Sequence, residues 1–463
     1  MHGSGGRRLR EVKMGKFFGT DGFRGRAGEV LTAEQAFAAG RFLGYHFGAA
    51  QSKKCRAVIG KDTRRSSYML EYALASGLAA SGADAYMMHV ATTPAVAYAA
   101  RAHGFDVGIA ISASHNPFED NGIKLMNSAG EKLEDGVLNL LERHLALPPG
   151  GRALPAAEGG GVGAIVDYVA GRNEYAAHLI SLVPVSFSGC RVGLDCANGA
   201  AYNIARRVFV ALGAKVFAVG CRPDGLNINR GCGSTRPGRL ARLVRLRGLD
   251  IGFAFDGDGD RCICVDERGE VVDGDGILYV LACSLANGSL GSGGIVATVM
   301  SNSGLISSLG ERGVPVAVCG VGDRAVYECM RTRGAMLGGE QSGHVILGKI
   351  ENTGDGIVTA LHVMTAMLRG RTTLSSLLSG LKLLPQRSVS VPVKDGARAT
   401  APDVDAAIAR AGKLLEGRGR LLVRPSGTES VVRIMAESDD GALCDEVCSL
   451  VARAVAGEGV CAE

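Results

Sequence analysis

The sequence has no tryptophan, and Phe, Trp and Tyr together make up only 5% of its 463 residues. That leaves few faces on which to stack bases, which argues against single-stranded nucleic acid as a partner. Charge of one sign is also scarce. Lys and Arg number 51 against 46 Asp and Glu, a net +5 scattered along the chain. Without a basic stripe, a DNA-binding face is not expected either. Long apolar runs are missing: stretches such as Ile277 to Ala286 fall well short of the ~20 residues that span a bilayer, so no membrane partner is expected. The first residues carry Arg7, Arg8, Arg10 and Lys13 with no apolar segment behind them, unlike a secretory signal. Residues 1–15 are expected to be a disordered extension, with Met14 an alternative start. No C-x-x-C pair occurs among the 13 cysteines. The usual zinc and redox spacings are therefore absent, and reduced, mostly buried thiols in a cytoplasmic protein are the expectation.

What is present is an ordinary globular composition, 46% hydrophobic and 21% charged. The length suits three domains of roughly 150 residues, or four smaller ones. Ile109 to Met126 organises the rest. An apolar run ends at Ile111, Ser112-Ala113-Ser114-His115 follows, Asn116-Pro117 forces a turn, and Gly122 to Met126 returns as a strand carrying Lys124. Ser114 is thus expected on a tight loop at a strand end, where open α/β sheets bind ligands.

Two further stretches repeat that order. A strand–helix–strand–helix–strand pattern from Arg191 to Phe255 ends in Asp256-Gly257-Asp258-Gly259-Asp260-Arg261. Another, from Ile295 to Leu337, ends in Gly338-Gly339-Glu340-Gln341-Ser342-Gly343-His344. Each polar motif is followed by a short return strand, so three sheets are expected to aim three loops at one cleft. The last section has a different order. Two of its strands flank Arg424-Pro425-Ser426-Gly427-Thr428-Glu429, and Arg433 lies on the second of them. The expected units are 16–155, 156–266, 267–383 and 384–463, with a Gly/Pro/Ala-rich linker from Pro148 to Gly163 between the first two.

Three carboxylates alternating with glycines repel one another unless a proton or cation intervenes. Hard oxygen ligands select magnesium or calcium. An EF-hand is rejected, because Arg261 stands where that loop needs Gly and the flanks read as strands. An acidic surface turn is the plain alternative. Near the N-terminus, Phe17-Phe18-Gly19-Thr20-Asp21-Gly22-Phe23-Arg24-Gly25 offers glycines for close approach and Arg24 as a planar fork for phosphate. Taken alone it is a Gly-rich turn. His115 reads equally as a structural turn residue or a phosphate contact.

Together the four motifs, in this order, resemble the α-D-phosphohexomutase family from about Lys16 onward. The resemblance implies three related α/β domains with mixed sheets and a smaller C-terminal α+β domain, heart-shaped around one cleft. It implies that Ser114 is the phosphoryl carrier, phosphorylated in the active protein. One Mg2+ per subunit would be held by Asp256, Asp258, Asp260 and a phosphoserine oxygen. Lys124 becomes an acid/base candidate, on the reasoning that neighbouring cations lower its proton affinity. Arg24 and Arg261 offset phosphate charge. Glu340 and Ser342 resemble sugar-hydroxyl contacts, with His344 beside them. Arg424, Ser426, Gly427, Thr428 and Arg433 resemble a distal phosphate clamp, although Ser430 stands where the family usually has Pro. The implied reaction moves phosphate between the 6- and 1-positions of a hexose through a 1,6-bisphosphate. Gln341 and Gly322-Asp323-Arg324 point to the amino-sugar branch, with glucosamine phosphates as substrates and products feeding amino-sugar nucleotide synthesis. Glucose or mannose phosphates are the alternative. A silent sugar-phosphate sensor and a phosphatase on the same fold are rivals from other classes. The partner is a small sugar phosphate, and a homodimer is compatible with this reading.

Overall fold

A computed structural model of the chain describes residues 18–19, 22–148, 153–286, 290–393, 396–425 and 431–457. The first unit runs β1 (Phe18–Gly19), β2 (Gly22–Arg26), α1 (Ala33–Phe47), β3 (Arg56–Lys61), α2 (Arg65–Ala79), β4 (Asp84–Val90), α3 (Thr93–His103), β5 (Val107–Ile111), β6 (Asp120–Met126) and α4 (Asp135–Ala146). β7 (Ile165–Asp167) and α5 (Val169–Ser181) follow. The second unit holds β8 (Arg191–Asp195), α6 (Ala201–Ala211), β9 (Lys215–Val219), α7 (Gly238–Arg247), β10 (Ile251–Phe255), β11 (Cys262–Val265) and β12 (Val271–Val272). The third holds α8 (Gly274–Leu285), β13 (Ile295–Thr298), α9 (Ser303–Gly310), β14 (Val316–Cys319), α10 (Asp323–Arg333), β15 (Leu337–Gly339), β16 (Val345–Leu347), α11 (Gly356–Gly370) and α12 (Leu374–Leu377). The last unit has β17 (Gln386–Pro392), α13 (Pro402–Leu414), β18 (Gly419–Pro425), β19 (Val431–Ser438) and α14 (Gly441–Ala456).

The repeat expected from the order of elements is present in the sheets. Strand orders β6-β5-β3-β4, β11-β10-β8-β9 and β16-β15-β13-β14 are the same order of return, third, first and second strand. In each, the first three strands are parallel and the return strand antiparallel. β5 (V-G-I-A-I) and β10 (I-G-F-A-F) are buried along their whole length, as strands covered on both faces by helices must be. The motif loops leave the C-terminal ends of β5, β10 and β15. The fourth unit is a separate antiparallel sheet, β17-β19-β18, backed by α13 and α14.

Several elements lie where the periodicity assigns none. The pattern reading has no helix at α1, α4, α5, α8 or α11. α8 is buried over most of its length, so its apolar run is a core helix with no polar face to mark a period. In α1, Gly40 and Gly44 weaken the helical signal. α1 is nonetheless closed at its start by a reciprocal capping box between Thr32 and Gln35. The expected linker runs into β7, which pairs parallel with β4. The boundary expected after residue 155 therefore falls before the outer strand of the first sheet. In the third unit, Gly338 and Gly339 belong to β15 and pair with Ile346 and Val345.

One hydrophobic core runs continuously through the first three units, from Val58, Val96 and Phe105 through Phe209 and Phe253 to Leu281, Ile295 and Leu361. The fourth unit keeps its own core, built on Val404, Val432, Ile434, Val447 and Val451.

In the first unit α1 and α2 pack backbone to backbone. A Cβ on Gly40 would lie 2.3 Å from the Leu74 carbonyl oxygen, and one on Gly77 would lie 2.2 Å from that of Phe37. Gly77→Val is expected to lower the apparent melting temperature, with an overpacking cost of about 1–3 kcal/mol. Circular dichroism melts check this. An unchanged midpoint would show that the helices part freely.

Candidate active site

The apolar strand β5 stops where Ser112 and Ser114 begin, and the polar loop is then fixed by buried groups. Ser112 Oγ donates to Asp62 Oδ2 at 2.6 Å and itself accepts from the Ser114 N–H at 3.0 Å. Asp62 also takes Ser67 Oγ at 2.7 Å and Arg64 Nε at 2.8 Å. Arg64 is fully buried, and its Nη2 donates to the carbonyls of Ser114 and Asn116, both at 3.0 Å. From the second unit, Asn229 Nδ2 donates to the same two carbonyls at 2.9 Å. Ser114 itself has φ +50°, a left-handed backbone that is costly for a residue with a Cβ. The donors on its carbonyl hold it there. Gly257 lets the acidic loop approach, since a Cβ at that position would lie 2.4 Å from the Ser114 oxygen.

That acidic loop meets the serine side chain. Ser114 Oγ donates to Asp256 Oδ2. Asp256, Asp258 and Asp260 are all buried, and each offers an oxygen within 4.8 Å of the others. The N–H groups of Gly259 and Arg261 donate to Asp256 Oδ1 at 3.1 and 3.2 Å. Thr93 Oγ1 donates to Asp258 Oδ2. Lys124 Nζ spans Asp258 Oδ2 at 2.6 Å and Asp260 Oδ2 at 3.0 Å. Burial first, and then the charges of Asp260 and Asp258, push the Asp256 carboxyl well above its ordinary range. Burial also acts to raise Asp260, but Lys124, His344 and Arg261 outweigh it and hold that carboxyl low.

Lys124 corrects the sequence reading. Burial alone would lower its proton affinity, yet Asp258 and Asp260 overcome that and raise it above the ordinary lysine value. The nearest charges to Lys124 are carboxylates from the second unit, and the cations expected to dominate are weaker influences. His115 is the group whose proton affinity is lowered. Burial, then Arg261 and Arg24, lower its pKa to about 4, and its Nδ1 lies 3.4 Å from Ser114 Oγ.

Arg24 on β2 stands opposite Gly122 of β6, which places it in the field of both His115 and Lys124. Arg261 forms a backbone bridge with His344, so the acidic loop and the Gly338–His344 motif are joined directly. His344 is buried, and neither ring nitrogen has a hydrogen-bond partner among the described residues. Glu340 Oε1 accepts from the Gly322 N–H at 2.9 Å, while Ser342 on the same loop is exposed. Arg424 and Arg433 face each other across β18 and β19. Burial first, then Arg433, lower the pKa of Arg424, with Glu340 acting in the other direction. Ser426, Gly427 and Thr428 lie outside the described residues. A cavity of about 310 Å³ where the first three units meet is lined by Thr93, Lys124, Asp260, Lys132, Asp323 and Tyr327, among others.

The sequence reading missed Asp62, Arg64, Thr93 and Asn229 as parts of this site. Lys61-Asp62-Thr63-Arg64 reads as a helix start, although a charged run ending a buried strand is a signal that its groups are paired inside. Asn229 lies in a Gly- and Asn-rich stretch with no pattern of its own.

Four family profiles match the chain in order. They are described as phosphoglucomutase/phosphomannomutase alpha/beta/alpha domain I (residues 15–147), domain II (173–269), domain III (273–383) and C-terminal domain (389–454). A phosphoglucosamine mutase of Lachnospira eligens is 50% identical over 449 residues, covering 96% of this chain and 99% of that one. One from Nocardioides is 48% identical, covering 92% and 95%. Among solved structures, a phosphoglucomutase/phosphomannomutase family protein of Burkholderia thailandensis has a TM-score of 0.79 at 25% identity, covering 96% and 98%. The N-acetylphosphoglucosamine mutase of Aspergillus fumigatus, solved with GlcNAc-6P and magnesium, shares the fold with a TM-score of 0.64 at 19% identity, covering 96% of both chains. With every domain of that family matched in sequence order and half the residues shared with full-length relatives, the chain belongs to the phosphoglucomutase/phosphomannomutase family of phosphohexomutases, alongside relatives named phosphoglucosamine mutase.

Proposed function

We propose that this protein interconverts glucosamine 6-phosphate and glucosamine 1-phosphate, with Ser114 as the phosphoryl carrier and glucosamine 1,6-bisphosphate as intermediate. The observation that carries the reading is the buried hydrogen bond from Ser114 Oγ to Asp256, inside a cluster of three carboxylates. A serine with no role in charge transfer has no reason to be held there in a strained backbone.

The cluster fits a hard divalent cation such as Mg2+. Three carboxylates contribute oxygen donors, and Asp258 Oδ1 and Asp260 Oδ1 are buried with no hydrogen-bond partner among the described residues. Asp256, Asp258, Asp260 and an oxygen on Ser114 would hold the ion. When bound, it supplies charge neutralisation for the phosphate and for the serine oxygen.

The remaining work falls to this chain's own groups. Phosphorylated Ser114 gives its phosphoryl group to a sugar hydroxyl. The bond from Ser114 Oγ to phosphorus breaks, one from the sugar oxygen forms, and the hydroxyl proton is replaced by one gained at Ser114 Oγ. In the second half the other phosphate returns to Ser114. Lys124 supplies positive charge beside the transferred group, as do Arg24 and Arg261. The His115 imidazole stands beside the serine oxygen as a proton acceptor in addition to Asp256, to which that oxygen donates. Glu340 and Ser342 engage sugar hydroxyls. Two arginines opposed across one strand pair repel, and the buried Arg424 Nε has no hydrogen-bond partner among the described residues. A phosphate between them answers both, and Arg424 and Arg433 with Ser426, Gly427 and Thr428 form that clamp in this reading.

The amino-sugar preference rests on the names of relatives at 43–50% identity. Catalytic efficiency measured side by side on glucosamine, glucose and mannose phosphates is expected to be highest for glucosamine, with glucose phosphates about 10–200-fold lower, as for sugars differing by one small group. Equal or higher efficiency on glucose or mannose phosphates would replace this substrate by theirs. Release of free phosphate without isomer would make the protein a phosphatase.

Asp258→Asn is expected to cut turnover by about tenfold or more by weakening the cation site, and a chelator is expected to abolish turnover of the unaltered protein until Mg2+ is restored. Turnover indifferent to chelator would remove the metal from the mechanism.

A further inference from the structure

The fourth unit has a separate hydrophobic core, yet it is joined to the third unit by a chain of polar contacts. Asn302 holds the Leu384 backbone from both sides, donating to its carbonyl at 2.8 Å and accepting from its N–H at 3.0 Å. Arg420 donates to the carbonyls of Val299 and Ser301 and to Glu437. Glu437 is buried and accepts the Ser303 N–H at 3.1 Å. Such polar joints between units with separate cores permit relative motion.

Two glutamines tie this joint to the sugar-binding loop. Gln341 Nε2 donates to Gln386 Oε1 at 3.0 Å. Gln386 Nε2 donates in turn to the Met300 carbonyl at 3.1 Å and to Glu437 Oε2 at 3.0 Å. Both amide hydrogens and the oxygen of Gln386 are thus committed. Gln341 is anchored on its other side as well. Its backbone carbonyl accepts the Gly274 N–H at 2.9 Å, at the start of α8, which Asp273 caps. The backbone of Gln341 is thus held at α8 and its side-chain amide at β17, although its neighbours Glu340 and Ser342 are the residues read as sugar contacts.

We propose that Gln341 is a positioning residue, one that locks the sugar-binding loop to the base of the fourth unit through Gln386. The inference rests on the mutase reading for its kinetic consequence and on geometry alone for the lock. With the lock intact, the unit that carries Arg424 and Arg433 is held seated against the loop that holds the sugar. The bisphosphate is then kept through its turnover. With the lock broken, the loop and the fourth unit move independently, and the bisphosphate escapes more often.

The test uses the full chain with Gln341→Met, Gln386→Leu and the double variant. Hydrogen–deuterium exchange is read on peptides covering residues 337–347 and 386–392. Each single variant is expected to raise exchange in the peptide it does not alter, and unchanged exchange there would overturn the lock. This readout stands even if the protein proves to act on another sugar. In turnover, each single variant is expected to lower kcat about 5-fold, the scale of one lost amide hydrogen bond. KM is expected to stay within about 2-fold, with more bisphosphate released per turnover, and the double variant to be no worse than either single one. Raised KM with unchanged kcat would make Gln341 a sugar contact instead. Fully multiplicative losses in the double variant would show that the two amides act separately.

Discussion

Three buried carboxylates confined within 4.8 Å at the end of one β-strand are the constraint on which the rest of the structure depends. The loop's own N–H groups and Arg261 answer part of their repulsion, and the rest is answered from outside the loop. Lys124 answers from β6 and Thr93 from the start of α3. Ser114 answers from the loop between β5 and β6. All three lie in the first unit, so the acidic loop of the second unit is electrostatically complete only when the first is docked on it. The same docking fixes the serine, because Asn229 and Gly257 of the second unit shape its backbone. The serine and the carboxylates are thereby held together at an interface sealed by a shared apolar core.

The third and fourth units obey a different rule. The third shares the apolar core of the first two and joins its motif to theirs by the bridge between Arg261 and His344. The fourth has a core of its own and meets the third through side-chain amides, a carboxylate and a guanidinium. The first three units are thus joined by apolar packing and the fourth by polar contacts, two kinds of joint in one chain.

Much of this was legible in the sequence because the units are built from apolar strands that end abruptly in polar motifs. β5, β8, β9, β10 and β13 lie where the pattern places them, and the recurring order of elements is matched by a recurring sheet order. The aspartate loop was legible for the same reason: acidic residues alternating with glycine at a strand end crowd like charges that a cation or a proton must relieve. What escaped was non-local. Arg64 reads as part of a helix start, but its partners are carbonyls about fifty residues further on, brought near only by the sheet. The proton affinity of Lys124 was misjudged because its dominant neighbours come from another unit, 134 and 136 positions away. α8 escaped because a helix buried on all sides has no amphipathic period, and α1 because its glycines serve packing at a cost to helix propensity.

The proposed chemistry depends on the traffic of phosphate through one serine oxygen. The most direct measurement supplies glucosamine 1,6-bisphosphate carrying an isotopically labelled phosphate, stops the reaction, and maps the label by mass spectrometry of peptides. Label is expected on the peptide containing Ser114, with transfer from there into sugar phosphate when unlabelled substrate is added. Label found stably on another residue, or isomerisation that persists in Ser114→Ala, would contradict this mechanism.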